Sequence, residues 1–235
     1  ALERQLKDKN KMVRKAALEA LAAMPGDRDI RLICSLLADP ELEVQARAVD
    51  LVVKLRHPDT MQHLVNVLKD ESEFARRSAV EVLNEIAEPS TIKALLMALE
   101  DGDWWVRSRA SDALAKIGGP KVMDAVLQLV GDKNENIRRS AIEILNQTKD
   151  ERAVDYLIKA TRDNDWWVRE RAADALAEIR SEKAAPALLE MLTGDARSVP
   201  AALRALGRLG TSAVLPQLLP MLDRPEKDIR IEAVN

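Results

Sequence analysis

Cysteine, histidine and aromatic side chains are all scarce in this 235-residue chain. The single cysteine, Cys34, excludes an intrachain disulfide framework and suits a reducing compartment, so a cytoplasmic location is expected. His57 and His63 are the two histidines, and no second cysteine completes a metal-ligand set with them. Basic blocks are also lacking. The 36 Lys and Arg are interspersed with 39 Asp and Glu for a net charge of −3, which argues against a nucleic-acid partner. No apolar run approaches the ~18 residues of a membrane span, and no charged-then-apolar leader opens the chain, so neither a membrane nor a secretory segment is expected. The glycines, Gly118-Gly119 included, have no phosphate-loop context. The sequence thus offers no catalytic residues, metal site or cofactor. Only six aromatics occur, and four are tryptophans in two adjacent pairs.

Those pairs lie in a repeated stretch. Asp101-Gly102-Asp103-Trp104-Trp105-Val106-Arg107 recurs as Asp163-Asn164-Asp165-Trp166-Trp167-Val168-Arg169, 62 positions later. This is twice a weaker 31-residue period that places Asp8, Asp39, Asp70, Asp101, Asp132 and Asp163 in one column. Six residues on stand Arg14, Gln45, Arg76, Arg107, Arg138 and Arg169. An apolar column precedes them (Val13, Val44, Ala75, Val106, Ile137, Val168), and an alanine column follows (Ala17, Ala48, Ala79, Ala110, Ala141, Ala172). Periods of this length mark stacked repeats. Positions 106, 110, 113, 114 and 117 share one face of an amphipathic helix of about 14 residues, here helix A. Asn10, Ser72, Asp103, Asn134 and Asp165 are suited to cap its start.

Breaks follow at Met24-Pro25-Gly26, Arg56-His57-Pro58, Ala87-Glu88-Pro89 and Gly118-Gly119-Pro120, with glycine closing one helix and proline opening the next as the expected punctuation. A second amphipathic stretch, helix B, carries columns such as Ile33, Leu64, Leu95, Val126 and Leu157. Cys34 falls with Val65, Leu96 and Leu127, a core position. The fold expected is all-α: a right-handed α-solenoid of about seven antiparallel helix pairs forming one domain over 1–235. Its units lie near 8–38, 39–69, 70–100, 101–131, 132–162, 163–192 and 193–222, with partial units at 1–7 and 223–235. The seventh lacks the aspartate–arginine pair in register and needs a one-residue deletion. Pro200 suits a first helical turn, whereas Pro220 predicts a bend. Neither end carries a polar capping repeat, so the chain is expected to belong to a longer protein.

The Asp-x5-Arg spacing, the apolar residue before the Arg, the alanine column and the 31-residue two-helix unit resemble HEAT repeats, most closely the short bacterial phycobilisome-lyase-like type. The resemblance spans essentially the whole chain. It implies a scaffold or docking surface, with helix B lining the concave side. It also implies a structural ladder in which Asp101, Asp132 and Asp163 pair with Arg107, Arg138 and Arg169 between units. Gln45 and the seventh unit would interrupt that ladder.

Two surfaces are candidates for binding. The first is the tryptophan pairs. Trp105 is in phase with the polar stripe Arg109, Asp112 and Lys116, so Trp105 and Trp167 are expected to be more exposed than Trp104 and Trp166. Arg109 and Arg171 lie four residues on, placed to stack on the indoles, with Asp112 and Asp174 holding each guanidinium. The pairs then read either as aromatic–arginine anchors for a partner or as packing between units. The second surface is the helix-B stripe that includes Lys93, Met97, Asp124, Gln128, Asp155 and Lys159, which reads as a solvated face or as a mixed-charge groove with Met97 as an adaptable contact. An acidic column on helix A (Glu19, Asp50, Glu81, Asp112, Glu143, Asp174) reads as a solvated face with local ion pairs. The favoured function is a non-catalytic docking domain for a peptide or protein. The alternatives are a bilin-lyase-like enzyme or chaperone subunit and a HEAT-like DNA glycosylase domain, which near-neutral charge disfavours. Oligomeric state is left open.

Overall fold

A computed structural model describes residues 2–24, 26, 28–210 and 212–234. Pro25, in the first predicted break, lies outside the described residues. Among the described residues there are helices and turns and no strands. The chain divides into two compact units, Ala1–Ile117 and Gly118–Asn235. The first holds α1 (Leu2–Gln5), α2 (Lys11–Ala23), α3 (Ile30–Ser35), α4 (Leu42–Leu55), α5 (Thr60–Val67), α6 (Glu73–Ile86), α7 (Ile92–Ala98) and α8 (Trp104–Ile117). The second holds α9 (Gly119–Leu129), α10 (Glu135–Thr148), α11 (Val154–Ala160), α12 (Trp166–Ile179), α13 (Ala185–Met191), α14 (Val199–Leu209), α15 (Leu215–Leu218) and α16 (Lys227–Val234). Each unit is a stack of helix pairs, the all-α solenoid arrangement expected. In the first, α2, α4, α6 and α8 form the A layer, each packed on the next; in the second, α10, α12, α14 and α16 do so.

The A helices begin where capping chemistry places them. Side-chain oxygens of Asn10, Asp103, Asn134 and Asp165 accept the backbone N–H two residues on, at 2.9, 3.0, 2.9 and 3.1 Å. This satisfies donors that the helix itself leaves unpaired. Glycine closes some helices as expected: Gly118 follows α8 and Gly210 follows α14 with φ of 55° and 64°. Elsewhere Arg56, Ala87, Lys149 and Arg180 take the left-handed cap conformation instead, with φ of 44°, 42°, 53° and 57°. Helix B is also shorter than one continuous stretch. A three-residue 3-10 turn precedes α7, α11 and α13. Pro200 sits in the first turn of α14, as expected. Near Pro220, α15 gives way to a 3-10 segment, Leu219–Asp223.

The core lies between the A and B layers of each unit. Val44, Ala75, Val106 and Val168, the alanines from Ala48 to Ala172, and Ile33, Leu64, Leu95, Val126 and Leu157 are fully buried. Burying one such Leu, Ile or Val side chain stabilises by roughly 1.5–3 kcal/mol. An exposed ion pair contributes about 0–1 kcal/mol. The apolar columns therefore hold the stack together, and the charges have the lesser task of setting its register. Cys34 is buried in this core, and burial pushes its thiol up to about 12. At neutral pH it is an inert apolar group. No described helix is long and apolar enough to cross a membrane.

Candidate docking surface

The repeat loops are built around the aspartate column. Asp39, Asp101 and Asp163 each accept the N–H two residues on, at 2.9, 2.8 and 2.8 Å. Each also accepts two bonds from the arginine of the preceding repeat. These are Arg14 (2.7 and 2.8 Å), Arg76 (2.8 and 3.1 Å) and Arg138 (2.8 and 2.9 Å). The remaining amino group of the arginine donates to a carbonyl of its own loop. Arg76 reaches Asp70 O at 2.9 Å, Arg107 reaches Asp101 O at 2.7 Å and Arg138 reaches Asp132 O at 2.9 Å. One planar guanidinium thus joins two consecutive loops, a task its fork geometry suits.

Gln45 replaces the arginine with a neutral link. It donates to Asp39 O at 2.6 Å and accepts from Ser78 Oγ at 3.1 Å. The seventh repeat does not interrupt the ladder fully. Arg169 still donates to Asp195 at 2.6 Å and to Ser198 Oγ at 3.1 Å, so the acceptor half persists.

The tryptophans correct one expectation. Trp104 is 66% exposed, whereas Trp105 is half-buried. Trp166 and Trp167 are both half-buried. The stripe through Trp105, Arg109 and Asp112 faces the preceding A helix rather than open solvent. Arg109 reaches across to grip Glu81 of α6 at 2.8 and 2.9 Å. Helical side chains lean toward the N-terminus, which carries the Trp105 indole into the same seam. The expected stacking is present: Arg109 lies 5.7 Å from the Trp105 ring centroid and Arg171 lies 5.5 Å from that of Trp167. Asp112 and Asp174 approach those guanidinium groups at 3.5 and 3.6 Å. Trp166 instead carries Arg197 over its face, 3.5 Å from the centroid.

Sequence reasoning missed the feature beside Trp105. A groove of about 580 Å³ opens on the A layer of the first unit. Leu42, Ala46, Val49 and Val53 of α4 form one wall, Phe74, Arg77, Ser78 and Glu81 of α6 the other, and Trp105 of α8 closes the side. Leu42 and Phe74 are 59% and 44% exposed, unusual for large apolar groups. Arg77 is tied to Asp103, and its guanidinium lies 5.4 Å from the Phe74 ring centroid. The Arg77 hydrogen bond, aided by the Trp105 N–H, holds the Asp103 carboxyl below the usual carboxylate range against the opposing effect of burial. A sequence signal existed. Leu42, Phe74 and Trp105 all stand three or four residues after the repeat aspartate, outside the core columns.

The B-layer candidates are exposed in both units: Lys93 and Met97 in the first, Asp124, Gln128, Asp155 and Lys159 in the second. Asp124 is 3.5 Å from Arg152, and Lys159 lies over Tyr156 at 5.8 Å. Gln128, Tyr156 and Lys159 line a second cavity of about 560 Å³ with Asp132, Arg138 and Asp163 of the ladder. The acidic column is paired in a regular way. Arg47 joins Glu19 to Asp50, Arg109 joins Glu81 to Asp112, and Arg171 joins Glu143 to Asp174.

Compared with protein families, the chain matches HEAT repeats over residues 30–115, 61–143, 93–164, 123–201 and 158–235. A comparison with curated protein sequences finds no significant match. Among solved structures, Kap95p in its complex with RanGDP aligns at 18% identity with a TM-score of 0.66, covering 99% of this chain and 40% of that one. A Kap121p mutant aligns at 15% identity with a TM-score of 0.72, covering 99% of this chain and 32% of that one. The YibA protein of E. coli aligns at 21% identity with a TM-score of 0.57, covering 99% and 89%. The chain therefore spans well under half the length of the Kap proteins it resembles, and at these identities the likeness is one of fold. With its repeat loops, buried columns and family match in agreement, the chain belongs to the HEAT-repeat family.

Proposed function

We propose that this chain is a non-catalytic docking scaffold that binds a peptide or a protein domain. One observation carries the reading. An open, largely apolar groove lies across three consecutive A helices, with α6 and α8 held by guanidinium–carboxylate pairs and α4 and α6 by the Gln45–Ser78 bond and the Arg56–Glu88 pair. Preformed apolar concavities with a polar rim are where partners gain most from burial. The fold-level likeness to Kap95p, which is found bound to RanGDP and to Nup1, supports a protein as the partner. Trp104 and the B-layer stripe, Lys93 and Met97 in the first unit and Asp124, Gln128, Asp155 and Lys159 in the second, are further contact surfaces in this reading.

Photo-crosslinking tests it. A photoreactive residue is placed in turn at Ala46, Met97, Trp104 and Lys159, and the protein is irradiated in its native cells. The scaffold reading expects discrete protein adducts from some of these positions and not from others. No adduct from any position, with the variants folded by circular dichroism, contradicts it.

A further inference from the structure

We infer that the seam between α4 and α6 binds an amphipathic helix of about three turns carrying a lysine or arginine at the end that lies over Asp50 and Glu85. The inference rests on the docking reading and adds the identity of the partner's chemistry.

Shape comes first. The α4 residues on the groove recur at three and four positions, Leu42, Ala46, Val49 and Val53; on α6 they are Phe74, Arg77, Glu81 and Glu85. Two ridges of this spacing leave a trough between them. The two helices run in the same direction. Ser78 reaches Gln45 near their starts, and Arg56 reaches Glu88 just past their ends. From Leu42 to Lys54 the trough measures about 18 Å at 1.5 Å per residue, roughly three turns of a guest helix. At its buried floor Gln45 and Ser78 are bonded to each other beneath apolar side chains, and no row of backbone donors or acceptors is offered. An extended peptide laid there would bury unpaired amides. A helix satisfies its own backbone and presents an apolar stripe.

The apolar lining is not demanded by the fold. Two repeats on, the positions of Ala46, Val49 and Phe74 are held by Ser108, Ser111 and Asn136. The same helices form there with polar residues.

Charge selects the guest. Of the lining cations, Arg77 pairs with Asp103 and Glu73, and Lys54 keeps its charge with its ammonium drawn to Ala22 O of α2 at 2.7 Å, on the side of α4 away from α6. Glu81 is paired with Arg109, which it shares with Asp112, so the carboxylates outnumber the cations here. Among the described residues Asp50 lies 3.4 Å from Arg47, and Glu85 is in no ion pair within 4 Å and feels Arg109 only at longer range, behind Glu81. Both carboxylates stand in the half of the seam nearer the C-termini of α4 and α6, where the helix dipoles add negative potential. A guest cation is attracted there and a guest carboxylate is repelled.

Synthetic 14-residue helical peptides, fluorescein-labelled, provide the probe. One has a Leu/Ile stripe and a terminal Lys pair; the second replaces the Lys pair with Glu; the third replaces the stripe with Ser and Gln. Anisotropy is measured against the full chain. The expected result is tightest binding by the first peptide, weakened at least tenfold in each of the others. Val49→Asp and Phe74→Ala should each weaken it tenfold or more with circular dichroism melts retained. The Asp50→Asn/Glu85→Gln protein should still bind but no longer prefer Lys over Glu, while Lys121→Glu, an exposed position in the second unit, should bind as the parent does. Equal binding of the Lys and Glu peptides, survival of binding in Val49→Asp, loss in Lys121→Glu, or no binding by any peptide would each overturn the assignment. In all four cases the crosslinking experiment still decides separately whether the chain docks proteins at all.

Discussion

At the scale of single residues, several side chains sit where the repeat does not favour them. Ala87 closes α6 at φ 42°. A left-handed conformation costs an L-residue roughly 1–2 kcal/mol, and glycine avoids this at some expense in unfolded-chain entropy. Ala87→Gly is expected to raise stability by about 0.5–1 kcal/mol in urea denaturation. Asn84 is fully buried, and neither polar atom of its amide has a hydrogen-bond partner among the described residues. The same register holds Ala22, Val53, Ala115 and Ala177, with a second asparagine, half-buried, at Asn146. Leaving such a group unsatisfied costs about 1–3 kcal/mol, so Asn84→Ala should stabilise by about 1 kcal/mol despite the smaller side chain. A clear loss would mean that the amide is satisfied in solution. Asp103 is read through its pH response. Its folded-state pKa is depressed by Arg77. Its contribution is therefore present above the unfolded value of about 4 and is lost as pH falls through the folded value. Asp103→Asn should flatten the acid limb of the stability–pH curve, measured by chemical denaturation between pH 2 and 6.

At the scale of helices and loops, the sequence was legible wherever one column decided the outcome. The buried positions of Leu64 and Leu95 and the caps at Asp103 and Asp165 follow from a fixed offset in the repeat, and the pairing of Arg138 with an aspartate of the neighbouring repeat, Asp163, is what the HEAT resemblance implied. The facing of Trp105 did not follow. Periodicity gives its angle around α8 but not which neighbour occupies that angle. The groove was hidden for a similar reason, because Leu42, Phe74 and Trp105 come from three different repeats and meet only once the A helices stack. The left-handed caps at Arg56 and Lys149 were equally invisible, since the helix ends there without the residue that normally announces it. The ladder and the outer ion pairs should differ in weight. Arg138 and Asp163 are largely shielded, with side chains 15% and 12% exposed, whereas Arg47 and Glu19 are 47% and 52% exposed. Arg138→Met strands a shielded carboxylate and should cost about 2–3 kcal/mol. Arg47→Met should change stability by less than about 0.5 kcal/mol. Equal costs in thermal or urea denaturation would contradict the division of labour drawn here.

At the scale of the whole molecule, bonds recur every second repeat. Arg76 and Arg77 hold Asp101 and Asp103 just as Arg138 and Arg139 hold Asp163 and Asp165, 62 residues on. That recurrence is what duplication of a two-repeat block leaves behind. The polar rim of the groove and Trp105 recur as Arg139, Glu143 and Trp167, but its apolar residues Ala46, Val49 and Phe74 do not, since Ser108, Ser111 and Asn136 occupy the matching positions. A departure from an otherwise copied pattern is where a specific contact surface is expected, and it supports the proposed docking site on the A layer of the first unit. Methyl NMR tests this most directly. With Leu and Val methyls and the Met97 methyl observed together, the Lys-bearing amphipathic peptide is titrated into the full chain. The account predicts saturable shifts at Leu42, Val49 and Val53 with Met97 unmoved; shifts confined to Met97 or to the second unit would contradict it.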